Sequence, residues 1–228
     1  MTASGGIDAL IPVKPLQSGK QRLGSVLGAA ARAELVRAML ADLLDALGAV
    51  PAVRTRWVVS RDAEVLSLAE SLGARALAEP ADIGGLNGAL EWGRAEILAH
   101  DRPAALLVLP ADLPSATSDD LRAFVMETGS NTTALVRLCP SPDGGTNALL
   151  LRPPDAIPFM YGPHSAQAHA RLAAQRKIGV ERVAPPGLQV DVDAPEELRE
   201  RVRRLDRVPG ARTRAALASL GLTQGGAG

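Results

Sequence analysis

Two spacings of apolar residues alternate along the chain. Short solid runs bounded by Pro, Gly or Asp are separated by longer stretches in which apolar positions recur every three or four residues. Residues 9–13 form a first solid run, and a polar, glycine-bearing segment at 14–28 follows it. Leu35, Val36, Met39, Leu40, Leu43, Leu44 and Leu47 then make one wide helical stripe, with Gly48 placed to end it. The pattern goes on to predict a strand at 57–59, a helix at 63–72 closed by Gly73, a short strand at 75–78 and a helix at 86–99. The next solid run, 104–109, is uniformly apolar, as a parallel strand covered on both faces would be. Strand-helix alternation of this kind builds a parallel sheet through right-handed crossovers, so the first half reads as Rossmann-like.

Beyond Asp112 the order is less regular. A helix is predicted at 118–127, strands at 132–138 and 147–151, and a loop around Pro153, Pro154 and Pro158. A helix at 166–175 and strands at 180–183 and 188–192 precede a charged helix at 196–204, whose polar stretch reads as a solvated face. One short helix is expected after Pro209, and the glycine-rich residues 224–228 are expected to fray. No internal repeat occurs. The fold class is therefore α/β with a mostly parallel central sheet. At 228 residues the length allows one or two domains, and the even spread of apolar positions favours one across 1–228, with a core at about 7–204.

Charge and composition narrow the partners. Lys plus Arg equals Asp plus Glu at 25 each, and aromatic residues make up 2% of the chain. This argues against a nucleic-acid or membrane surface and for a small-molecule partner. Cys139 is the only cysteine, which excludes an intrachain disulfide, and it reads as a small apolar strand residue. No basic residue precedes an apolar stretch at the amino terminus, and no uncharged run of about 18 apolar residues exists, so a cytoplasmic, soluble protein is expected. Oligomeric state is left open.

Chemistry gathers where strands should end. Asp112, in Leu109-Pro110-Ala111-Asp112-Leu113-Pro114, stands just past the run 104–109, where ligands bind in open α/β sheets. It is a candidate metal ligand; an Asx turn with its own backbone is the alternative. Lys14, Lys20 and Arg22 crowd the loop after the first strand, and three cations there call for an anion, unless they form an exposed loop made for solubility. Residues 14–21 partly mimic a phosphate-binding P-loop, but that pattern needs Gly where Lys14 stands and Ser or Thr where Gln21 stands. The G-x-G-x-x-G fingerprint of dinucleotide enzymes is also missing from this loop.

Asp191 and Asp193 lie two apart, so in an extended segment both carboxylates face one side. Two like charges that close need a cation or a proton between them, and hard oxygen donors suit Mg²⁺. Asp193 taken alone is more often an ordinary helix cap ahead of Ala194-Pro195-Glu196, a role Asp191 does not have, and one residue can both cap and face a metal. Asp143-Gly144-Gly145-Thr146-Asn147 is a flexible turn entering a strand. Tyr161-Gly162-Pro163-His164-Ser165 is a second turn that opens a helix, so Gly162 and Ser165 can hold a phosphate or carboxylate, or Ser165 simply caps the helix. His164 and His169 lie near that candidate anion site, and His100 reads as a helix end. No His/Cys cluster has zinc spacing.

Taken together, six short motifs resemble, in this order, the guanylyltransferases of coenzyme F420 biosynthesis. They are residues 11–14 through 20–23, the pair Leu86-Asn87, residues 109–114, Gly145-Thr146-Asn147-Ala148-Leu149-Leu150, residues 161–165, and Asp191-Val192-Asp193. The resemblance spans roughly residues 7–200. It implies one Rossmann-like GT-A-type nucleotidyltransferase domain that joins GMP from GTP to 2-phospho-L-lactate, phosphoenolpyruvate or 3-phospho-D-glycerate. It implies Lys14, Lys20 and Arg22 on the triphosphate, and Asp112, Asp191 and Asp193 around Mg²⁺. Thr146, Gly162 and Ser165 would hold the acceptor, and Asn87 would lie on the nucleoside side. The turn reads Asp-Gly-Gly-Thr where relatives commonly carry Gly-Thr-Gly-Thr, which bears on acceptor preference. The competing readings are a sugar-phosphate or molybdopterin nucleotidyltransferase, whose usual glycine-rich first loop ending in Arg and Lys is missing here, and a non-catalytic nucleotide-binding module.

Overall fold

The solid apolar runs become strands and the periodic stretches become the helices that cover them. A computed structural model describes residues 4–17, 20–126, 134–189, 191–192, 198 and 210–221. In chain order these form β1 (Ser4–Pro12), α1 (Ala29–Gly48), β2 (Val53–Ser60), α2 (Ala63–Ser71), β3 (Arg75–Ala78), α3 (Gly85–His100), β4 (Pro103–Val108) and α4 (Ser118–Val125). β5 (Leu135–Pro140), β6 (Thr146–Arg152), α5 (Ser165–Gln175), β7 (Gly179–Arg182) and α6 (Ala211–Ser219) follow. Thr117 and Asp120 form a reciprocal capping box that starts α4. Asp42 on α1 accepts the Arg212 and Thr213 amides, which docks the start of α6.

The strands form one seven-stranded sheet in the order β3-β2-β1-β4-β6-β5-β7. All neighbours are parallel except β6, which runs antiparallel to both β4 and β5. Alternate residues of each central strand feed opposite faces, as the period of two requires. Ala9, Ile11, Ala105, Leu107, Ala148 and Leu150 join the core under α1, whereas Leu10, Leu106, Val108, Leu149 and Leu151 join the core under α3. At Gly93 of α3 a Cβ would sit 3.2 Å from the tip of the Leu10 side chain, so the helix crosses β1 at close range.

From β1 the chain builds outward to β2 and β3, then returns to place β4 on the other side of β1. The carboxyl ends of β1 and β4 are thus adjacent at a switch in strand order, where a crevice opens. The Leu109 amide donates to the Leu10 carbonyl at 3.3 Å, so the loops after these two strands leave the sheet side by side.

Among the described residues of 188–192 the predicted strand is not found. Pro185 and Pro186 have no amide to give to a ladder, the Gly187 amide donates instead to the Asp120 carboxylate at 3.1 Å, and Pro186–Leu188 makes a 3-10 turn. The same-side argument for Asp191 therefore loses its strand. Asp193, most of the predicted helix at 196–204 and residues 224–228 lie outside the described residues. Among those described, no helix is long and apolar enough to cross a membrane.

Candidate active site

The crevice is a cleft of about 540 Å³, a size that suits a small organic ligand. Its walls come from the ends of four strands and the start of one helix: Lys14 and Lys20 after β1, Arg61 after β2, Glu79 after β3, Asp112 after β4, and Gly85, Leu86 and Ala89 on α3. Met39 and Val36 of α1 supply apolar surface. Lys14 and Lys20 thus meet as the sequence predicts. Arg22 is exposed on a 3-10 turn, Gln21–Ser25, and does not line the cleft.

Lys20 holds a left-handed backbone, φ 52 and ψ 39, which is uncommon for a residue with a Cβ and is maintained only where neighbours over-determine it. Here the Lys20 ammonium meets the Asp112 carboxylate, Nζ to Oδ2, at 2.6 Å. Asp112 therefore does not spend that oxygen on an Asx turn. Its other oxygen, Oδ1, is buried and has no hydrogen-bond partner. An orphaned carboxylate oxygen is costly to bury and marks a place where a cation or donor belongs. The Val192 amide donates to the Asp112 carbonyl at 3.1 Å, which brings Asp191 beside it. These hard oxygen donors fit Mg²⁺. Among the described residues no third carboxylate, His or Cys completes a metal cluster.

β6 runs antiparallel to β4, so its first residue, Thr146, lies at the sheet edge where β4 ends. The Thr146 hydroxyl contacts the Ser165 hydroxyl at 2.9 Å and His169 Nδ1 at 3.2 Å, with all three residues buried. Ser165 is the first residue of α5, and the cap position belongs to His164, whose side chain makes no cap hydrogen bond. The capping alternative for Ser165 is thereby displaced by its bond to Thr146. His164 is left-handed at φ 55, and Gly162, at φ 146, is where a side chain would be strained. The Asp143 carboxylate accepts from the Gly145 amide at 3.0 Å and from the Ser141 hydroxyl, bonds that hold it below the usual carboxylate range. The Ala166 amide donates to the Gly144 carbonyl at 3.2 Å, which seats the Asp-Gly-Gly-Thr turn on the start of α5.

Sequence reasoning missed how the loop ahead of Gly162 is held. Three successive amides have side-chain acceptors in place of a sheet ladder: Phe159 to Glu91 Oε1 at 2.9 Å, Met160 to His169 Nε2 at 2.9 Å, and Tyr161 to Asn87 Oδ1 at 2.7 Å. Asn87 Nδ2 returns a bond to the Tyr161 carbonyl at 2.9 Å. Asn87 and Glu91 are one turn apart on α3, which the sequence does show as an i,i+4 pair. Both polar atoms of Asn87 thus face Tyr161, while its neighbour Leu86 lines the cleft. Arg61 and Glu79 were also missed. They pair at 2.8 Å, and Arg61 additionally donates to the Ile83 carbonyl; standing just past the end of β2 was its one available signal. Burial holds the His169 ring down at about 4, keeping it neutral near pH 7, and pushes the Tyr161 hydroxyl up.

The chain is similar to several known proteins. A phosphoenolpyruvate guanylyltransferase of Rubrobacter xylanophilus is 42% identical over 193 residues, 83% of this chain and 90% of that protein. A 3-phospho-D-glycerate guanylyltransferase of Phenylobacterium zucineum is 36% identical over 200 residues, covering 86% and 89%. Among solved structures, one from Desulfovibrio desulfuricans G20 described as a nucleotide-diphospho-sugar transferase superposes with a TM-score of 0.72, covering 94% of this chain and 96% of that one. At 16% identity that likeness speaks to the fold. The family model for guanylyl transferases, CofC like, matches residues 7–223, and the chain belongs to that family.

Proposed function

We propose that the protein moves GMP from GTP onto the phosphate of a three-carbon phosphorylated acid, releases pyrophosphate, and so serves coenzyme F420 biosynthesis. The observation that carries this reading is Asp112 at the end of β4, its Oδ1 orphaned and its Oδ2 on Lys20, in a cleft of nucleotide size. The names of the relatives supply guanylyl transfer and two of the three candidate acids.

An oxygen of the acceptor phosphate bonds to the α-phosphorus of GTP as the bond from that phosphorus to the bridging oxygen breaks, and the electron pair leaves with pyrophosphate. The acceptor phosphate is already ionised near neutral pH, so no general base is required. Lys14 and Lys20 offset charge on the triphosphate and on the departing pyrophosphate. Arg22, exposed on its 3-10 turn, does not line the cleft and has no part in this step. Asp112, Asp191 and Asp193 would hold Mg²⁺, which supplies Lewis acidity and a template when bound. Thr146, Gly162 and Ser165 take the acceptor.

The test is pyrophosphate release with Mg²⁺ from GTP, ATP, CTP and UTP, each against the three acids, with mass spectrometry of the product. Release that needs GTP and one acid is expected. Silence from folded protein that still binds nucleotide would refute the reading. Asp112→Asn is expected to lower turnover by about 100-fold or more while largely sparing GTP binding, and unchanged turnover would remove Asp112 from the chemistry.

A further inference from the structure

We propose that His169 is a positioning residue of the acceptor subsite, setting strand β6 and the loop before Gly162 relative to one another and giving the Thr146–Ser165 hydroxyl pair one direction. The inference rests on Thr146 and Ser165 being acceptor groups. It starts from the Met160 amide, which can only donate, so His169 Nε2 must accept. A neutral ring then carries its proton on Nδ1, and that N–H donates to the Thr146 hydroxyl oxygen.

The His169 N–H polarises the Thr146 hydroxyl into the stronger donor of the pair, so the favoured order runs from His169 to Thr146 to the Ser165 hydroxyl at 2.9 Å. In that order the Ser165 proton has no acceptor among the described residues, and an anionic oxygen of the acceptor takes it. Burial keeps the ring neutral and the direction fixed. The Tyr161 ring packs edge-on against the imidazole at 5.2 Å and holds its plane. His169 needs no contact with substrate for any of this.

Two variants separate its two bonds. His169→Gln keeps an acceptor near the Met160 amide and loses the donor to Thr146, whereas His169→Asn keeps a donor near Thr146 and releases Met160. Initial rates of pyrophosphate release, with GTP and acceptor varied in turn, are expected to show acceptor KM raised about tenfold in His169→Gln, with GTP KM within about twofold. His169→Asn, which releases the Met160 amide and keeps the donor to Thr146, is expected to raise acceptor KM through the loop with GTP KM again within about twofold, and it tests the inference should the first variant not fold. A merely structural histidine would shift both KM values together.

The direct readout is a double-mutant cycle. In a Thr146→Val background, His169→Gln is expected to add less than about twofold to acceptor KM, because the chain is already cut. Additive effects, or an unchanged acceptor KM in His169→Gln while Thr146→Val raises it, would overturn the inference and leave the acceptor site standing. If Thr146→Val and Ser165→Ala both leave acceptor KM unchanged, the acceptor assignment itself fails and the inference with it.

Discussion

Replacing Asn87 by alanine separates two roles for one side chain. In the structure its amide is bonded twice to the Tyr161 backbone, at 2.7 and 2.9 Å; the family resemblance implies a role toward the nucleoside. Asn87 is the third residue of α3, and alanine is the better helix former, so the helix that carries it survives the change. Each lost bond removes about 0.5–1.5 kcal/mol net, about 2 kcal/mol for the pair. If all of that held the loop in its binding-competent form, acceptor affinity would fall by about 30-fold, since apparent affinity scales with the competent fraction. Glu91 and His169 still hold the amides of Phe159 and Met160, which brings the expected rise in acceptor KM to about 5- to 30-fold. GTP KM should stay within about twofold. Asn87→Asp should be no better than alanine, because it sets a carboxylate oxygen against the Tyr161 carbonyl. The assay is initial-rate pyrophosphate release with each substrate varied at saturation of the other. A tenfold rise in GTP KM with acceptor KM unchanged would refute the loop role and return Asn87 to the nucleoside.

Lys20→Met should lower turnover by about 100-fold or more by removing the cation that faces Asp112, and a parent-like rate would place the compensating charge elsewhere. Asp8 is fully buried on β1 and accepts from Arg54 and from the Trp57 indole; Asp8→Ala should cost about 3 kcal/mol in denaturant melts, with Michaelis constants unchanged in the folded fraction. Burial lowers His169 from its usual 6.5 to about 4, so the unfolded chain binds more protons between those values. This contribution is fully present above about 6.5, falls away as pH drops toward 4, and amounts to about 3 kcal/mol, a slope that His169→Gln should flatten in melts across that window. The Cys139 thiol is buried and pushed up to about 11, so alkylating reagents at pH 8 should leave it unmodified until the protein is denatured.

Sequence spacing reports what lies along one strand or helix face, which is why α2, β3, α3 and β4 were legible to within a residue, whereas β1 and β2 begin four or five residues ahead of their solid apolar runs. Solid runs and helical stripes depend on burial by whatever covers them, without regard to which partner that is. The antiparallel insertion of β6 between β4 and β5 has no such local mark, because a buried strand reads the same in either direction. That reversal turns Thr146 toward the end of the sheet where β4 stops, a placement that depends on topology more than on any motif. The Lys20–Asp112 pair joins residues 92 positions apart. The sequence shows both charges at strand ends and leaves their contact unstated.

The misses share a cause. Asn87, Glu91 and His169 act on backbone amides of another segment, and a backbone amide has no letter in a sequence. An Asn on a helix then looks free to read a ligand, and a Ser ahead of a helix looks like its cap. At 188–192 the same blindness worked in reverse: the apolar letters suited a strand, but the two prolines before them and the Gly187 bond to Asp120 left the backbone no ladder to join. Side chains that serve the backbone are therefore where a site read from sequence most needs its structure. In this chain they stand behind the loop proposed to hold the acceptor, so the substitutions that move acceptor KM should include residues that never touch the acceptor, and a scan restricted to Thr146, Gly162 and Ser165 would miss them.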